Sequence, residues 1–486
     1  MNKKWIIRQP IDRTTVEQFR SDLKRGIDTY DKAEHFFRPK LEDLHNPFLM
    51  KNMEEAVVRL NKAIERNEKI LLFGDYDVDG TTAVALMYSF LSGYSNKLDY
   101  YIPDRYTEGY GLSRKGALCE RNEWKLEELY KLLDFVAVAI GADIVPVTGE
   151  NRILAHNGMR LLNEFPRISF KRLLTLAKRS FPVTLTDIVF TIAPRINSAG
   201  RLYSGRQAVE LMITEDESRI EELAQSIDNY NQERRDLDES TTNEALEILA
   251  SDKWYEHSKS TVVFHESWHK GVVGIVASRL IENHFKPTIV LTENEGKLTG
   301  SARTINNFDI YNALLSCEDL LEQFGGHTFA AGLTLRKENF ETFKARFDSV
   351  VKETLTLEDE LPNEFIDLEL NFNEIYERQE NRMLIPRLKR ILKQMEPHGP
   401  GNMKPVFYTR NVYSKNIRIL KEKHLKLQVT QPDADVVLDA IGFGLAHKEY
   451  EVAEGVPFEM IYTLESNLWN GRESLQLNIK DIRVMI

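Results

Sequence analysis

The spacing of apolar and polar residues predicts a strand, a helix and a second strand near the start of the chain. The apolar run Ile70–Phe73 has the length and composition of a buried strand, and a second predicted strand covers Leu98–Pro103. Between them, Gly80-Thr81-Thr82 opens an apolar helix that runs through Leu91. This order predicts a βαβ unit of a parallel sheet.

Helical spacing flanks and follows this unit. The predicted helices cover Asn52–Arg66, Lys125–Leu133, Arg152–Glu164 and Lys171–Lys178. From Ser204 to Leu249 the chain is highly charged with thin apolar spacing, which predicts a solvent-bridging helix between two domains.

A second α/β pattern follows, and then a β pattern. Strands are predicted at Ser260–Phe264, at Thr288–Leu291 and up to Gly300-Ser301-Ala302-Arg303, with a helix at Val272–Ile281. The closing helix carries a core stripe at helical spacing, formed by Phe340, Phe343, Phe347 and Val351. After Pro405, five or six short alternating strands predict a small barrel.

We therefore expect an α/β protein of several domains. The predicted boundaries are an N-terminal extension at 1–45, a parallel-sheet domain at 46–203, a connecting helix at 204–255, a second α/β domain at 256–357 and a barrel domain at 358–486. With 486 residues and 42% hydrophobic content, the chain is long enough for two to four domains with real cores.

Composition narrows the class of protein. No stretch of about 18 apolar residues occurs and the first residues are polar, so we expect a cytoplasmic protein. The two cysteines, Cys119 and Cys317, are far apart and stand in no metal-binding motif, which argues against a disulfide framework and structural zinc.

Charge is uneven along the chain. The net charge of −11 argues against a globally basic nucleic-acid binder. Between Asn151 and Arg206, however, ten Lys or Arg residues face two acids, a local balance of +8 that suits a phosphate-binding groove. Four of the ten have the spacing of residues on a solvated helix surface, so no ligand is needed to explain them. Arg195 and Arg201 are less readily explained in this way.

Three aspartates at alternate positions, Asp75, Asp77 and Asp79, follow the first strand, and Asp143 stands in a later apolar segment. Such clustering is costly unless a cation neutralises it, so a divalent-metal site is the first hypothesis. A calcium-binding EF-hand loop is excluded because Leu86 occupies the position that needs a bidentate Glu. The alternative is that the aspartates only solvate a turn.

Two motifs in the second half favour phosphate binding. The cluster Gly325-Gly326-His327 is predicted to form a flexible backbone turn that offers close backbone approach and a donor, although a lone histidine is more often structural. Ser301 and Arg303 stand two apart, so an extended backbone points both to one face, where they could clamp a phosphate. The alternative for this pair is a strand-edge surface position.

Two further segments suit anions. His269-Lys270-Gly271 precedes a helix with glycines at its N-terminus, which by itself is a weak signal. In Ala193–Arg201, the side chains of Arg195, Asn197 and Arg201 are predicted to flank a turn and to contact a single strand.

Together these motifs resemble the RecJ family of the DHH phosphoesterase superfamily, which comprises single-strand-specific 5′-to-3′ DNA exonucleases. The matching segments are Gly74–Gly80, Ile102–Arg105 with Glu108–Leu112, Ala142–Arg152, Pro194–Asn197 and Gly325–His327. They cover nearly the whole chain in the family's order. The resemblance implies a DHH phosphoesterase domain, a connecting helix, a DHH-associated domain and an oligonucleotide-binding (OB) barrel.

The resemblance also implies roles. Asp77, Asp79 and Asp143 would ligate two Mn²⁺ or Mg²⁺ ions with Asp75 in support, and His327 would approach the scissile phosphate. The 5′ phosphate would be held by Arg105, Ser301 and Arg303, and the strand by Arg195, Asn197, Arg201, Gly325 and Gly326. Single-stranded DNA is the expected partner, with a single-strand-binding protein and a helicase expected in repair and recombination.

The chain departs from the family in one respect. Members carry a strand that ends in a metal-bridging aspartate and another that ends in Asp-His-His, and this sequence contains neither. Ser113–Gly116 runs directly into Ala117–Arg121, which indicates an internal deletion near 116/117. We expect a truncated sheet, an incomplete metal shell and reduced nuclease activity.

Two alternatives to an exonuclease stay open on the sequence. The first is a catalytically weak or inactive protein that binds single-stranded DNA. The second is a phosphodiesterase that acts on short oligonucleotides or cyclic dinucleotides, which the barrel and the Pro194–Asn197 segment disfavour because both suit longer strands.

Overall fold

The computed structural model describes most of the chain. The residues outside the description are 1–2, 8–26, 28, 104–128, 306–307, 357, 379–383, 386, 470–471 and 486. Arg105, Cys119, the joint predicted near 116/117 and the start of the helix predicted at Lys125 therefore lie outside the described residues.

The predicted βαβ unit is confirmed. The first elements are β1 Lys4–Ile7, α1 Tyr30–Phe37, α2 Met53–Glu65, β2 Ile70–Phe73, α3 Val78–Leu91 and β3 Leu98–Tyr101. Strands β2 and β3 are parallel, with Ile70 opposite Leu98 and Phe73 opposite Tyr101. Over the described ranges this sheet has two strands.

A helical layer packs on this unit. Its members are α4 Leu133–Ala142, α5 Gly149–Glu164, α6 Ile168–Leu176, α7 Leu185–Phe190, α8 Ile192–Leu202 and α9 Gly205–Ile213. One large apolar core joins these helices to α3 and the two strands. The turn predicted within Ala193–Arg201 is wrong, since this segment forms α8; Pro194 stands in its first turn, where a missing N–H costs nothing.

The charged connection is a helix, as predicted, but it is interrupted. Helix α10 covers Glu217–Ser251, and α11, Trp254–His257, follows it. Asp216 separates α10 from α9 because its side chain accepts hydrogen bonds from the backbone N–H groups of Ser218 and Arg219 at 2.9 and 3.1 Å. This N-cap starts a new helix at that point.

The second α/β region has the predicted elements. They are β4 Thr261–Phe264, α12 Val273–His284, β5 Thr288–Asn294, β6 Lys297–Arg303, α13 Ile310–Leu315, β7 Leu321–His327, β8 Ala330–Arg336 and α14 Phe340–Thr354. Its strand order is β4-β5-β6-β8-β7, with β4 and β5 parallel and the other pairs antiparallel. The stripe on α14 is buried as predicted at Phe343, Phe347 and Val351. The turn predicted at Gly325–His327 is wrong, because these residues end β7.

The C-terminal region is a barrel, as predicted. Its elements are β9 Asn363–Ile366, β10 Leu368–Glu369, β11 Glu377–Arg378, β12 Leu384–Ile385, α15 Arg387–Gln394, β13 Phe407–Leu420, β14 His424–Thr430, β15 Leu438–Gly442, β16 Phe458–Trp469 and β17 Arg472–Val484. Six strands pair in the order β10-β13-β14-β15-β17-β16, and β13 also pairs with β16, which closes the barrel. Strand β1 pairs with β9 and ties the N-terminus to this region.

None of the helices described is both long enough and apolar enough to cross a lipid bilayer.

Candidate functional site

The loop between β2 and α3 carries the three alternating aspartates. Asp77 caps α3, with its Oδ1 accepting a hydrogen bond from the Gly80 backbone N–H at 3.1 Å, and Asp79 stands in the first helical turn. Burial, the hydrogen bond with Asp79 and the charges of Asp79 and Asp75 raise the pKa of Asp77 to about 7. A bound cation would relieve this repulsion.

Two glycines make the acidic loop tight. A Cβ atom on Gly80 would lie 2.5 Å from the carbonyl oxygen of Asp75, and one on Gly74 would lie 2.4 Å from the Val84 side chain. Real side chains do not tolerate such distances. The loop therefore needs glycine at both positions to bring its carboxylates together.

Asp143 lies directly after α4, close enough to the acidic loop for its carboxyl to interact electrostatically with Asp79. Burial and the charge of Asp79 raise the pKa of the Asp143 carboxyl. The carboxylates suit a hard divalent cation chemically. Yet nowhere in the described part of the chain do three or more Asp, Glu, His or Cys side chains form a group able to hold a metal ion. These residues fit part of a divalent-cation site.

A cleft of about 470 Å³ opens between the first α/β region and the second. Its lining residues are Tyr76, Arg201, Lys270, Gly271, Val273, Gly274, Thr299, Gly300, Ser301, Arg303, Gly325, Gly326, Ala330, Ala331 and Gly332. Tyr76 stands between Asp75 and Asp77 in the chain, so the acidic loop adjoins the cleft. The sequence motifs from both halves thus meet at one place.

One wall of the cleft carries groups that suit an anion, and it is called here the anion-binding wall. On β6 the Arg303 Nη1 donates to Ser301 Oγ at 2.6 Å, so the two side chains share a face as the strand period predicts. A Cβ on Gly274 would lie 2.9 Å from Arg303 Nη2 and 3.2 Å from Ser301 Oγ. The glycine therefore lets both side chains approach the first turn of α12, where backbone N–H groups favour negative charge.

Gly325 and Gly326 line the cleft, and His327 follows them at the end of β7. Gly326 has φ +150°, and a Cβ there would lie 2.3 Å from the Ala330 carbonyl oxygen, so only glycine fits. His327 is exposed; its Nδ1 accepts a hydrogen bond from the Phe329 N–H at 3.2 Å. His327 is not among the residues that line the cleft.

Helix α8 places its three predicted strand-binding residues differently. The Arg195 side chain is 6% exposed and pairs with Asp228 of α10 at 2.7 Å, an arrangement that ties two helices together. Asn197 is half-buried. Arg201 lines the cleft and donates to the Gly271 carbonyl at 3.2 Å. Of the three, Arg201 is the one at the cleft.

Sequence reasoning missed Tyr76 as a site residue and gave Lys270 little weight. Both line the cleft. The signal for Tyr76 was its position between two candidate ligands, and that for Lys270 was the Gly-containing start of α12. Neither signal could show which domain faces which.

Comparison with known families matches three parts of the chain. The family described as "DHH family, N-terminal domain" matches residues 69–271, the DHHA1 domain matches 257–353 and the RecJ OB domain matches 366–481. These matches bear out the predicted classes of domain. The boundaries predicted from the sequence stay predictions.

Relatives extend the similarity over the chain. A protein of Bacillus subtilis (strain 168) named single-stranded-DNA-specific exonuclease RecJ is 30% identical over 538 residues, covering 95% of this chain and 67% of the relative. The protein of the same name from Escherichia coli (strain K12) is 27% identical over 541 residues, covering 89% and 90%. Both aligned lengths exceed the 486 residues of this chain, so each relative has residues without a counterpart here.

Solved structures show the same fold. The crystal structure of RecJ in complex with Mg²⁺ from Thermus thermophilus superposes with a TM-score of 0.76 at 23% identity, covering 99% of this chain and 79% of that one. The structure of the Mn²⁺ complex from the same source gives 0.77 at 22% identity, covering 99% and 80%.

Proposed function

The chain belongs to the RecJ family, and we propose that it is a single-stranded-DNA-specific exonuclease that removes nucleotides from a 5′ end. The observation that supports this most directly is the cleft, which brings an anion-binding wall next to an acidic loop. A terminal phosphate and a scissile phosphodiester are one nucleotide apart, so a site of this kind suits an enzyme that works from a strand end.

The 5′ phosphate would lie against Ser301, Arg303 and the first turn of α12. The Ser301 hydroxyl and the Arg303 guanidinium donate hydrogen bonds to phosphate oxygens, and the helix dipole favours the charge. Arg105 would join them by resemblance; it lies outside the described residues. A phosphate anchored at this end directs the adjacent linkage to the acidic loop, which gives 5′-to-3′ polarity.

The strand beyond the first nucleotide would follow the glycine-lined side of the cleft. Gly325 and Gly326 permit close approach of the DNA backbone, and Arg201 adds a positive charge to the lining of the same cleft. Asn197 and His327 keep their predicted roles at the strand and at the scissile phosphate. Arg195 was also predicted to bind the strand. Its buried ion pair with Asp228 does not favour that role.

Asp77, Asp79 and Asp143, supported by Asp75, would hold Mn²⁺ or Mg²⁺. When bound, such an ion lowers the pKa of a water and stabilises the developing charge on oxygen. The described carboxylates form only part of the shell. We propose that an internal deletion near 116/117 removed the other ligands and that hydrolysis by this chain is slow.

The two alternative functions are not favoured. A match to the RecJ OB domain over residues 366–481 suits strands longer than a dinucleotide. The curated relatives are named exonucleases, which disfavours a purely binding role. Action in DNA repair and recombination and association with a single-strand-binding protein and a helicase are proposals drawn from the family. Residence in the cytoplasm is a proposal drawn from the amino-acid sequence.

The 5′-phosphate assignment is tested by binding. We would measure the affinity for single-stranded DNA with a 5′ phosphate or a 5′ hydroxyl without added metal, comparing the wild type with Arg303→Met. Loss of one charged hydrogen-bond donor should remove roughly a 10- to 100-fold preference for the phosphate. Arg346→Met, at a half-buried position on α14 where the arginine pairs with Asp319 away from the cleft lining, is the matched control and should keep the preference. If Arg303→Met and Arg346→Met show the same preference for a 5′ phosphate over a 5′ hydroxyl, the assignment of Arg303 to the 5′ phosphate is wrong.

A further inference from the structure

The loop that leads from α15 into the barrel docks on the first domain. This loop, residues 394–402, is called here the docking loop. Asn402 is fully buried, and its Nδ2 donates to the carbonyls of Met395 and Pro397 at 2.8 Å each, which fixes the loop's shape. The apolar core of the barrel is separate from that of the helical layer, so contacts of this loop have to align the two.

Arg152 of α5 is the main contact to the docking loop. Its side chain is buried, and its guanidinium donates to the carbonyls of Met395 at 2.9 Å and Glu396 at 3.2 Å, with Gln394 and Pro397 at the edge of hydrogen-bond range. These carbonyls belong to the last residue of α15 and to the three residues that follow it. A cation at this position also complements the negative end of the helix dipole.

The same guanidinium binds the N-terminal segment. Arg152 Nε donates to the Phe36 carbonyl at 3.0 Å, and the Phe36 ring lies 4.0 Å from the centre of the guanidinium. Phe36 and Phe37 of α1 also pack against the apolar core of the barrel. Arg152 therefore holds two segments that both belong to the barrel side of the molecule.

The docking loop also touches the backbone that follows Asp143. The Val147 N–H donates to the Pro400 carbonyl at 2.6 Å. A Cβ on Gly399 would lie 2.5 Å from the Val147 side chain, and one on Gly401 would lie 2.9 Å from the Thr148 side chain. The position of the barrel is thus linked, through four residues of chain, to a candidate metal ligand.

We propose that Arg152 is a positioning residue that holds the barrel in register with the 5′-end cleft, so that one DNA strand can occupy both. The inference rests on the proposed function for its strand. Two sites held at a fixed separation bind a strand that spans them far more tightly than either alone, because the second contact is intramolecular. If the contact between Arg152 and the docking loop is lost, this gain in affinity falls although neither DNA-binding site has changed.

The test is the length dependence of binding. Affinities would be measured for 5′-phosphorylated strands of about 4 to about 30 nucleotides, short enough for the cleft alone or long enough for the barrel as well. Arg152→Met keeps the stem of the side chain but removes its donors. We expect its affinity for long strands to fall roughly tenfold or more while short strands bind as before.

Arg160→Met is the control for lost charge, since Arg160 is an exposed residue of the same helix. An equal loss in Arg160→Met, or an unchanged gain with length in Arg152→Met, would overturn the proposal. A loss confined to Arg152→Met and to long strands supports it.

A second variant reaches the joint from the other side. Gly399→Val places methyl groups against Val147 without touching Arg152, and it decides the question if Arg152→Met fails to fold. X-ray scattering of both proteins without DNA should show a more extended particle than the wild type. Unchanged scattering would overturn the proposal even if the wild type bound no DNA, whereas absence of wild-type binding alone would contradict only the proposed function.

Discussion

At the scale of single residues, the acidic loop depends on Gly80. A methyl group at this position would meet the Asp75 backbone at 2.5–2.8 Å, so the loop has to shift. We predict that Gly80→Ala lowers the free energy of unfolding by about 1–3 kcal/mol and abolishes metal-dependent cleavage. Urea denaturation measures the first effect. Gly93→Ala, where the nearest atom is 3.6 Å away, should be nearly neutral.

The residues of the anion-binding wall could be predicted because their geometry is local. Ser301 and Arg303 share a face by the period of a strand, and the structure places them 2.6 Å apart. The surroundings of Arg195 could not be predicted, because its partner Asp228 is on another helix and 33 residues away. The sequence motif around a basic residue does not predict whether its side chain faces solvent or pairs with a carboxylate.

At the scale of elements, the Arg195–Asp228 pair should contribute to stability by joining α8 to α10. We predict that Asp228→Asn lowers the free energy of unfolding on the order of 2 kcal/mol, since it leaves a buried guanidinium without its charge partner. Glu221→Gln, which breaks the more exposed pair with Arg172, should cost less than about 0.5 kcal/mol. The affinity of Asp228→Asn for single-stranded DNA should equal that of the wild type.

A loss of that affinity would instead show that Arg195 acts on the strand. Equal costs for the two substitutions in thermal or urea unfolding would contradict the structural role of the pair.

His156 of α5 should make the docking-loop joint sensitive to acid. Burial and the charges of Arg152 and Arg160 lower the pKa of His156 below its usual 6.5, while a hydrogen bond to the Glu396 backbone acts in the other direction. The folded state therefore binds fewer protons than the unfolded state below pH 6.5, and stability falls as the pH falls through that value. His156→Gln should flatten this dependence.

The measurement is the thermal midpoint from about pH 8 down to about pH 5.5 for both proteins, a range that spans the ordinary histidine pKa. Parallel profiles would contradict a neutral, buried His156. Glu396 belongs to the docking loop, and burial raises the pKa of its carboxyl. The comparison therefore uses the difference between the two proteins rather than either profile alone.

Most elements followed from periodicity, and the exceptions have physical reasons. The helix predicted at Asn52–Arg66 is α2, because its apolar stripe alone specifies it. Because glycine is conformationally free, Gly325 and Gly326 predicted a turn. In the structure the pairing of β7 with β8 holds both residues in a strand. Strand pairing between distant segments overrides a local preference of this kind.

At the scale of the whole molecule, the sequence predicted the classes of domain but not their contacts. The cleft and the docking-loop joint both form between domains, from residues such as Tyr76, Arg152 and Gly399 that have no shared period or motif. Such interfaces depend on tertiary packing. The absence of Asp-His-His, by contrast, is plain from the sequence, and the described sheet has two strands and no complete metal group.

We propose above that this chain degrades single-stranded DNA from a 5′ end held in the cleft. The most direct test is incubation of a 5′-phosphorylated, 3′-labelled single strand with Mn²⁺, beside the matched duplex and the Asp77→Ala, Asp79→Ala double variant. We predict slow, metal-dependent shortening of the single strand from its 5′ end, with no shortening of the duplex or by the double variant. If the single strand is bound but never shortened, or is shortened equally by the double variant, the proposed exonuclease function is wrong.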